Sequence, residues 1–343
     1  MKENQLFRIV TYLNVSVLVC ITFVVSSVIA LLSPSSLDIK HEEIKKATAP
    51  LVVDGQNDKT VSWHPPDSTK IPNSSEGDLI RYGRELVART AFYLGPNGKV
   101  AAISNGMNCQ NCHLKAGKKL FGNNYAGVAA TYPKFRSRSG TIETVEKRVN
   151  DCIERSLNGN RLEENSPEMR AFVAYITWVG GEVKKGVYPV GAGIPDLQML
   201  QRPADPIKGK EVYRVQCARC HGAKGEGYRE GNSPEWKYPP LNNEHSYNTG
   251  AGLFRLSRFA GYVKANMPNG TTYENPLLTD EEAWDVAAYV NSLPRPTKKF
   301  PNDWPDISAK PFDHPYGPFS DKFSEEQHKY GPFPPIIASK KKK

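Results

Sequence analysis

Two pentads with the spacing Cys-x-x-Cys-His, Cys109-Gln-Asn-Cys112-His113 and Cys217-Ala-Arg-Cys220-His221, constrain this chain more than anything else in it. Two thiols three residues apart can each form a thioether with a haem vinyl group, and the adjacent histidine then offers its imidazole to the iron. Cys-x-x-Cys pairs also build tetrahedral zinc sites. Here, however, the pairs lie over a hundred residues apart and each runs directly into His. A thioredoxin-like motif would need a βαβ pattern around one pair, and the flanking sequence shows none. The spacing therefore predicts two covalently bound c-type haems, with His113 and His221 as proximal iron ligands.

A dihaem cytochrome c receives its haems outside the cytoplasm, and the N-terminus fits export. Tyr12 to Leu32 is an uncharged apolar run of 21 residues, long enough to cross a bilayer. Lys2 and Arg8 precede it, which places the N-terminus in the cytoplasm and the rest beyond the inner membrane, on the periplasmic side. Val28-Ile29-Ala30 would serve as the cleavage site of a signal peptide, the rival reading. The run exceeds a usual signal core, so the expectation is a retained anchor, with Cys20 a small apolar residue inside it. The formal charge of +9 is no nucleic-acid signature: Lys340 to Lys343 supply four charges of a frayed tail, leaving +5, much of it offset by haem propionates.

The remaining chain divides by composition. Residues 1–35 hold the anchor or signal, and 36–75 read as an irregular polar arm with scattered prolines. A pattern then appears twice. A helix beginning near Gly77 leads to the first haem motif, and a helix with Ser166 as N-cap and Pro167 at its first position closes that domain, 76–187. A helix from Ile207 leads to the second motif, and one capped by Thr279 with Asp280, Glu281 and Glu282 in its first turn closes the second domain, 206–297. Gly209, Tyr213 and Tyr289 suit the close helix crossing of small cytochrome c domains. Residues 188–205 read as a linker, and 298–343 as a Pro- and aromatic-rich extension that wraps without regular structure. The expected fold is all-α, with two tandem class I-like cytochrome c domains, an N-terminal anchor helix and an irregular C-terminal extension.

The sixth ligands decide function. Met267, in Ala-Asn-Met-Pro-Asn-Gly between the second motif and the last helix, is placed for axial thioether ligation, which favours reduced iron. The first domain has no such Met-Pro; Met107 lies too close to Cys109 to reach the far face, and Met169 packs. It offers instead Cys152, on a helix read from Thr141 to an Asn158-Gly159 stop. Arg148, Cys152 and Ser156 are spaced i, i+4, i+8 on one face, with Arg155 beside it and Arg136 and Arg138 just upstream. Arginines around a thiol favour a thiolate that can ligate iron or act as a nucleophile, and they also make a dianion site. The bland alternative is a buried free cysteine among ordinary surface salt bridges.

At Ser104-Asn-Gly-Met-Asn-Cys109-Gln-Asn-Cys112-His113, Asn150-Asp-Cys152-Ile-Glu-Arg-Ser156-Leu-Asn-Gly159 and Ala265-Asn-Met267-Pro, the chain resembles the dihaem thiosulfate dehydrogenases, tetrathionate-forming periplasmic cytochromes. The resemblance runs from about Gly77 to the Tyr-Gly-Pro-Phe tail. It implies that the first haem is catalytic, ligated by His113 and Cys152, with Arg138, Arg148 and Ser156 as substrate-site residues. It implies His221 and Met267 on a second, relaying haem, oxidation of two thiosulfate ions to tetrathionate or the reverse, and an external cytochrome or membrane complex as electron acceptor. Some relatives carry lysine before the methionine and switch ligands; Asn266 stands there in this chain. The competing reading is a non-enzymatic dihaem electron carrier in which Cys152 is incidental.

Overall fold

The computed structural model describes residues 63–341. The anchor candidate, Cys20 and most of the polar arm lie outside the described residues. Among the described residues no helix is long and apolar enough to cross a membrane.

The repeated pattern becomes two similar helix crossings. Helix α1 (Ser75–Ala88) is capped by Ser74, whose hydroxyl accepts from Gly77 N, and has Glu76 and Asp78 in its first turn. Helix α4 (Pro167–Val179) starts as expected, with the Ser166 hydroxyl accepting from Met169 N and Pro167 at the first position. The two helices cross at Gly83, where a Cβ would lie 1.9 Å from the Ala171 carbonyl oxygen. Only glycine permits that approach. Leu86, Met169, Phe172 and Tyr175 fill the core beneath it, and Met169 is a packing residue as expected.

In the second domain α5 (Pro206–Gln216) begins at the Asp205 cap, and α7 (Asp280–Ser292) carries a full Thr279–Glu282 capping box. They cross at Gly209, where a Cβ would sit 1.8 Å from the Asp285 carbonyl oxygen. The Tyr213 and Tyr289 rings lie 5.2 Å apart. Helix α6 (Leu256–Asn266) packs on α7 around Trp284, and Met267 follows its last residue in extended backbone.

The described residues are mostly helical, as expected, with one local departure. Two small antiparallel hairpins are present: β1 (Lys134–Arg136) with β2 (Thr141–Glu143), and β3 (Tyr228–Arg229) with β4 (Trp236–Tyr238). The Cys152 helix therefore does not start at Thr141. The β-branched Thr141 and Ile142 pair with β1, Thr144 becomes the N-cap, and helix α3 runs Val145–Arg155. Its stop is at Asn158, in the left-handed region at φ 44°, while the Gly159 amide returns to the Ile153 carbonyl.

The C-terminal extension is not irregular either. It contains α8 (Glu325–Tyr330), capped by Ser324, and α9 (Pro334–Lys341). Phe333 and Ile336 are buried in the second core, which is why the segment is ordered. Lys340 is not frayed: its ammonium donates to the Lys310 and Ser308 carbonyls. The segment read as a linker lies along the first domain, with Phe121 N donating to Gly191 O and Asn123 N to Gly193 O.

Candidate functional site

Each haem motif opens onto a cavity. Cys109, Cys112 and His113 line the first, of about 320 Å³, and Cys217, Cys220 and His221 line the second, of about 840 Å³. His113 Nδ1 lies 2.5 Å from the Asn123 carbonyl oxygen, and His221 Nδ1 lies 2.9 Å from that of Pro239. A carbonyl oxygen only accepts, so Nδ1 is the donor in both rings and Nε2 keeps its lone pair. This is the tautomer an iron ligand needs, fixed by a second hydrogen bond. Burial holds His113 at about 4, hence neutral, and lowers His221 in the same direction. Within the second cavity the buried Trp236 Nε1 and Thr271 Oγ1 have no hydrogen-bond partner among the described residues. Donors left open in an apolar cavity fit a group that brings carboxylates with it, as haem does.

Met267 lines the second cavity with His221. Asn266 is buried and donates to the Phe121 and Tyr262 carbonyls. Met107, Asn108, Cys112 and Leu253 line both cavities, so a wall one residue thick separates them.

Cys152, Arg148 and Ser156 line the first cavity from α3, and Lys134, Arg136 and Arg138 line it from β1 and the turn that follows. The spacing argument thus brought the cysteine, serine and two arginine groups together. Among the described residues no carboxylate lies within ion-pair distance of Arg138 or Arg148, whereas Arg136 Nε lies 3.9 Å from Glu143 Oε2. The nearby Cys152 sulfur pushes Arg148 up. Burial, reinforced by Arg148 and Arg155, brings Arg138 down to about 10. Two guanidiniums of this cavity, those of Arg138 and Arg148, thus lack a carboxylate at ion-pair distance among the described residues and share the cavity with a thiol.

Arg155 departs from expectation. It is turned away from the cavity and clamps Asp303 bidentately at 2.7 and 2.8 Å, with Phe300 stacked 3.7 Å from its guanidinium carbon. The extension also holds the Arg138 turn: Trp304 N donates to Arg138 O at 2.6 Å, and Arg138 lies over the Trp304 ring at 5.8 Å. Trp304 Nε1 in turn donates to His314 Nε2.

Other lining residues had no signal in the sequence. Tyr188 arrives from the segment read as a linker, and Arg255 and Arg258 from the second domain, over a hundred residues from Cys152. Lys134 was within reach, two residues before Arg136 on the same strand face. His245, His314 and His328 do not line either cavity.

Comparison with known proteins follows the same division. A family model described as SoxA/TsdA, cytochrome c domain matches residues 99–184, and one described as Cytochrome c matches 207–294. The thiosulfate dehydrogenase of Psychrobacter arcticus is 35% identical over 245 residues, 71% of this chain and 72% of that protein. The thiosulfate dehydrogenase of Allochromatium vinosum is 35% identical over 250 residues, 72% of this chain and 89% of that one. Among solved structures, the as-isolated thiosulfate dehydrogenase (TsdBA) from Marichromatium purpuratum superposes with TM-score 0.63 at 32% identity, covering 68% of this chain. This chain spans half the length of that one. The chain belongs to the thiosulfate dehydrogenase family of c-type cytochromes and is an oxidoreductase carrying two c-type haems.

Proposed function

We propose that this member of the thiosulfate dehydrogenase family joins two thiosulfate ions into one tetrathionate, releasing two electrons, with the reverse reaction open to the same site. The observation that carries the reading is the position of Cys152 in the cavity of His113, among two guanidiniums without carboxylate partners. Joining two dianions requires their repulsion to be suppressed, and fixed cations in a water-poor cavity do this without reorganising. Arg138 and Arg148 would hold the anionic oxygens by forked, charge-assisted hydrogen bonds, with the Ser156 hydroxyl as a further donor.

His113 and Cys152 would hold the iron of the first haem, and His221 and Met267 that of the second. Bound there, the haems would supply one-electron acceptance, passing electrons to an external acceptor, a small cytochrome c or a membrane complex. The thin wall at Met107 and Cys112 suits that division. The catalytic domain would span 76–187 and the relay domain 206–297. The site of haem attachment puts the enzyme on the extracytoplasmic face, held at the inner membrane by the N-terminal segment.

Arg138→Gln and Arg148→Gln test the anion site. Each removes a charge-assisted contact worth about 1.5–3 kcal/mol, so kcat/KM for thiosulfate should fall tenfold or more. The absorption spectrum of both haems should not change. Normal kinetics in both variants would place the anion elsewhere.

A further inference from the structure

Six basic side chains line the first cavity: Lys134, Arg136, Arg138, Arg148, Arg255 and Arg258. Three of them have carboxylates at hand. Arg136 faces Glu143, Arg255 binds Asp313 at 2.6 Å, and Arg258 binds Asp196 at 2.8 Å. Arg138, Arg148 and Lys134 have none within ion-pair distance among the described residues. Two thiosulfate dianions bring four negative charges, and Arg138 and Arg148 answer only half of them.

We propose that Lys134 is a third cation of the substrate site, binding the thiosulfate anions together with Arg138 and Arg148; this rests on the thiosulfate reading above. The hairpin puts it there. Lys134 and Arg136 alternate with Phe135 along β1, so the two basic residues face the cavity while Phe135 stands 58% exposed on the other side. Among the described residues the Lys134 ammonium has only a long contact of 3.4 Å to Thr131 Oγ1 and lies 4.9 Å from the Tyr132 ring centre. Glu143 is its cross-strand register partner, yet that carboxylate is 2% exposed, lies near Arg136, and leaves one oxygen without a hydrogen bond. An ammonium with donors to spare, in an anion cavity, is a binding group.

Lysine differs from its arginine neighbours in what pH does to it. The charged groups facing Lys134 are Arg136 on its own strand, Arg148 from α3 and Glu143 from β2. Burial, with Arg136 and Arg148 acting in the same sense and Glu143 opposing, brings it down to about 8. Its charge is complete below that value and is lost as pH rises through it. Free-enzyme titrations appear in kcat/KM. Affinity for thiosulfate should therefore decline on the alkaline side while the arginines stay charged.

The experiment is kcat/KM for thiosulfate against pH in the full-length holoenzyme, for the wild type, Lys134→Arg and Lys134→Gln, with the potential of the first haem measured alongside. The wild type should lose about tenfold on crossing pH ~8. Lys134→Arg should keep its low-pH value beyond that point. Lys134→Gln should already be about tenfold low at neutral pH and show no such step. Wild-type kinetics in Lys134→Gln would overturn the proposal while leaving the thiosulfate reading intact. An unchanged KM with a displaced haem potential would also overturn it, assigning the ammonium to a haem propionate. A wild-type enzyme that does not oxidise thiosulfate would remove both.

Discussion

Cys152→Ala should reduce kcat/KM for thiosulfate oxidation by at least about a thousandfold, a loss of roughly 4 kcal/mol of transition-state stabilisation. The helix should survive the change. Cys152 sits within α3, alanine is the best helix former, and the capping by Thr144 and the stop at Asn158 do not involve the thiol. Both haems should stay attached, because Cys109, Cys112, Cys217 and Cys220 would carry the thioethers and none depends on Cys152. What the variant loses is the cysteine outside the haem motif that lines the His113 cavity with Arg138 and Arg148. Steady-state kinetics on protein with two haems per chain make the test. A wild-type rate in Cys152→Ala would reduce the thiol to a bystander and leave the chain without a catalytic centre of the kind argued here.

Asp303→Ala should be the most destabilising single change outside the cores. Arg155 is 6% exposed, and its two hydrogen bonds to Asp303 are its only carboxylate contacts among the described residues. Removing the aspartate leaves a guanidinium buried against Phe300 with no counter-ion, a situation that costs about 3–5 kcal/mol. The double variant Arg155→Met/Asp303→Leu should recover much of that stability, since a buried ion pair replaced whole is often close to neutral. Function should not recover in step. Trp304, next to Asp303, donates its amide to the Arg138 carbonyl, so loosening this corner should raise KM for thiosulfate. Chemical unfolding of the two variants separates the effects; equal stability in the single and double variants would contradict the account of Arg155.

Much of this site was legible because its chemistry is local in sequence. The haem motifs, the Ser166 and Thr279 caps and the i, i+4, i+8 face of Arg148, Cys152 and Ser156 each depend on residues within a few positions. The helix crossings were readable at Gly209, where the absence of a side chain has one structural reason. What was not legible depends on distant partners. Nothing near Arg155 announces Asp303, 148 residues away, so it was grouped with the cavity arginines rather than with the extension. Arg255 and Arg258 reach the first cavity only because the two domains share a wall. The extension looked irregular because prolines and aromatics carry no period, yet Phe333 and Ile336 complete the second core and order the helices around them. Strand β2 was read as the first turn of α3 because three-residue strands leave almost no pattern.

In the proposed enzyme a thiol and a thioether, on two different haems, would set the direction of electron flow. Thiolate is electron-rich and stabilises ferric iron, so a haem held, as proposed, by His113 and Cys152 should have the lower potential; thioether stabilises ferrous iron, so one held by His221 and Met267 should lie higher. Electrons entering at the substrate would then run downhill to the exit. A redox titration of the holoenzyme followed by electron paramagnetic resonance tests this directly. A thiolate-type low-spin ferric signal should persist after the second haem has been reduced. Two alike histidine–methionine signals titrating together at high potential would contradict it.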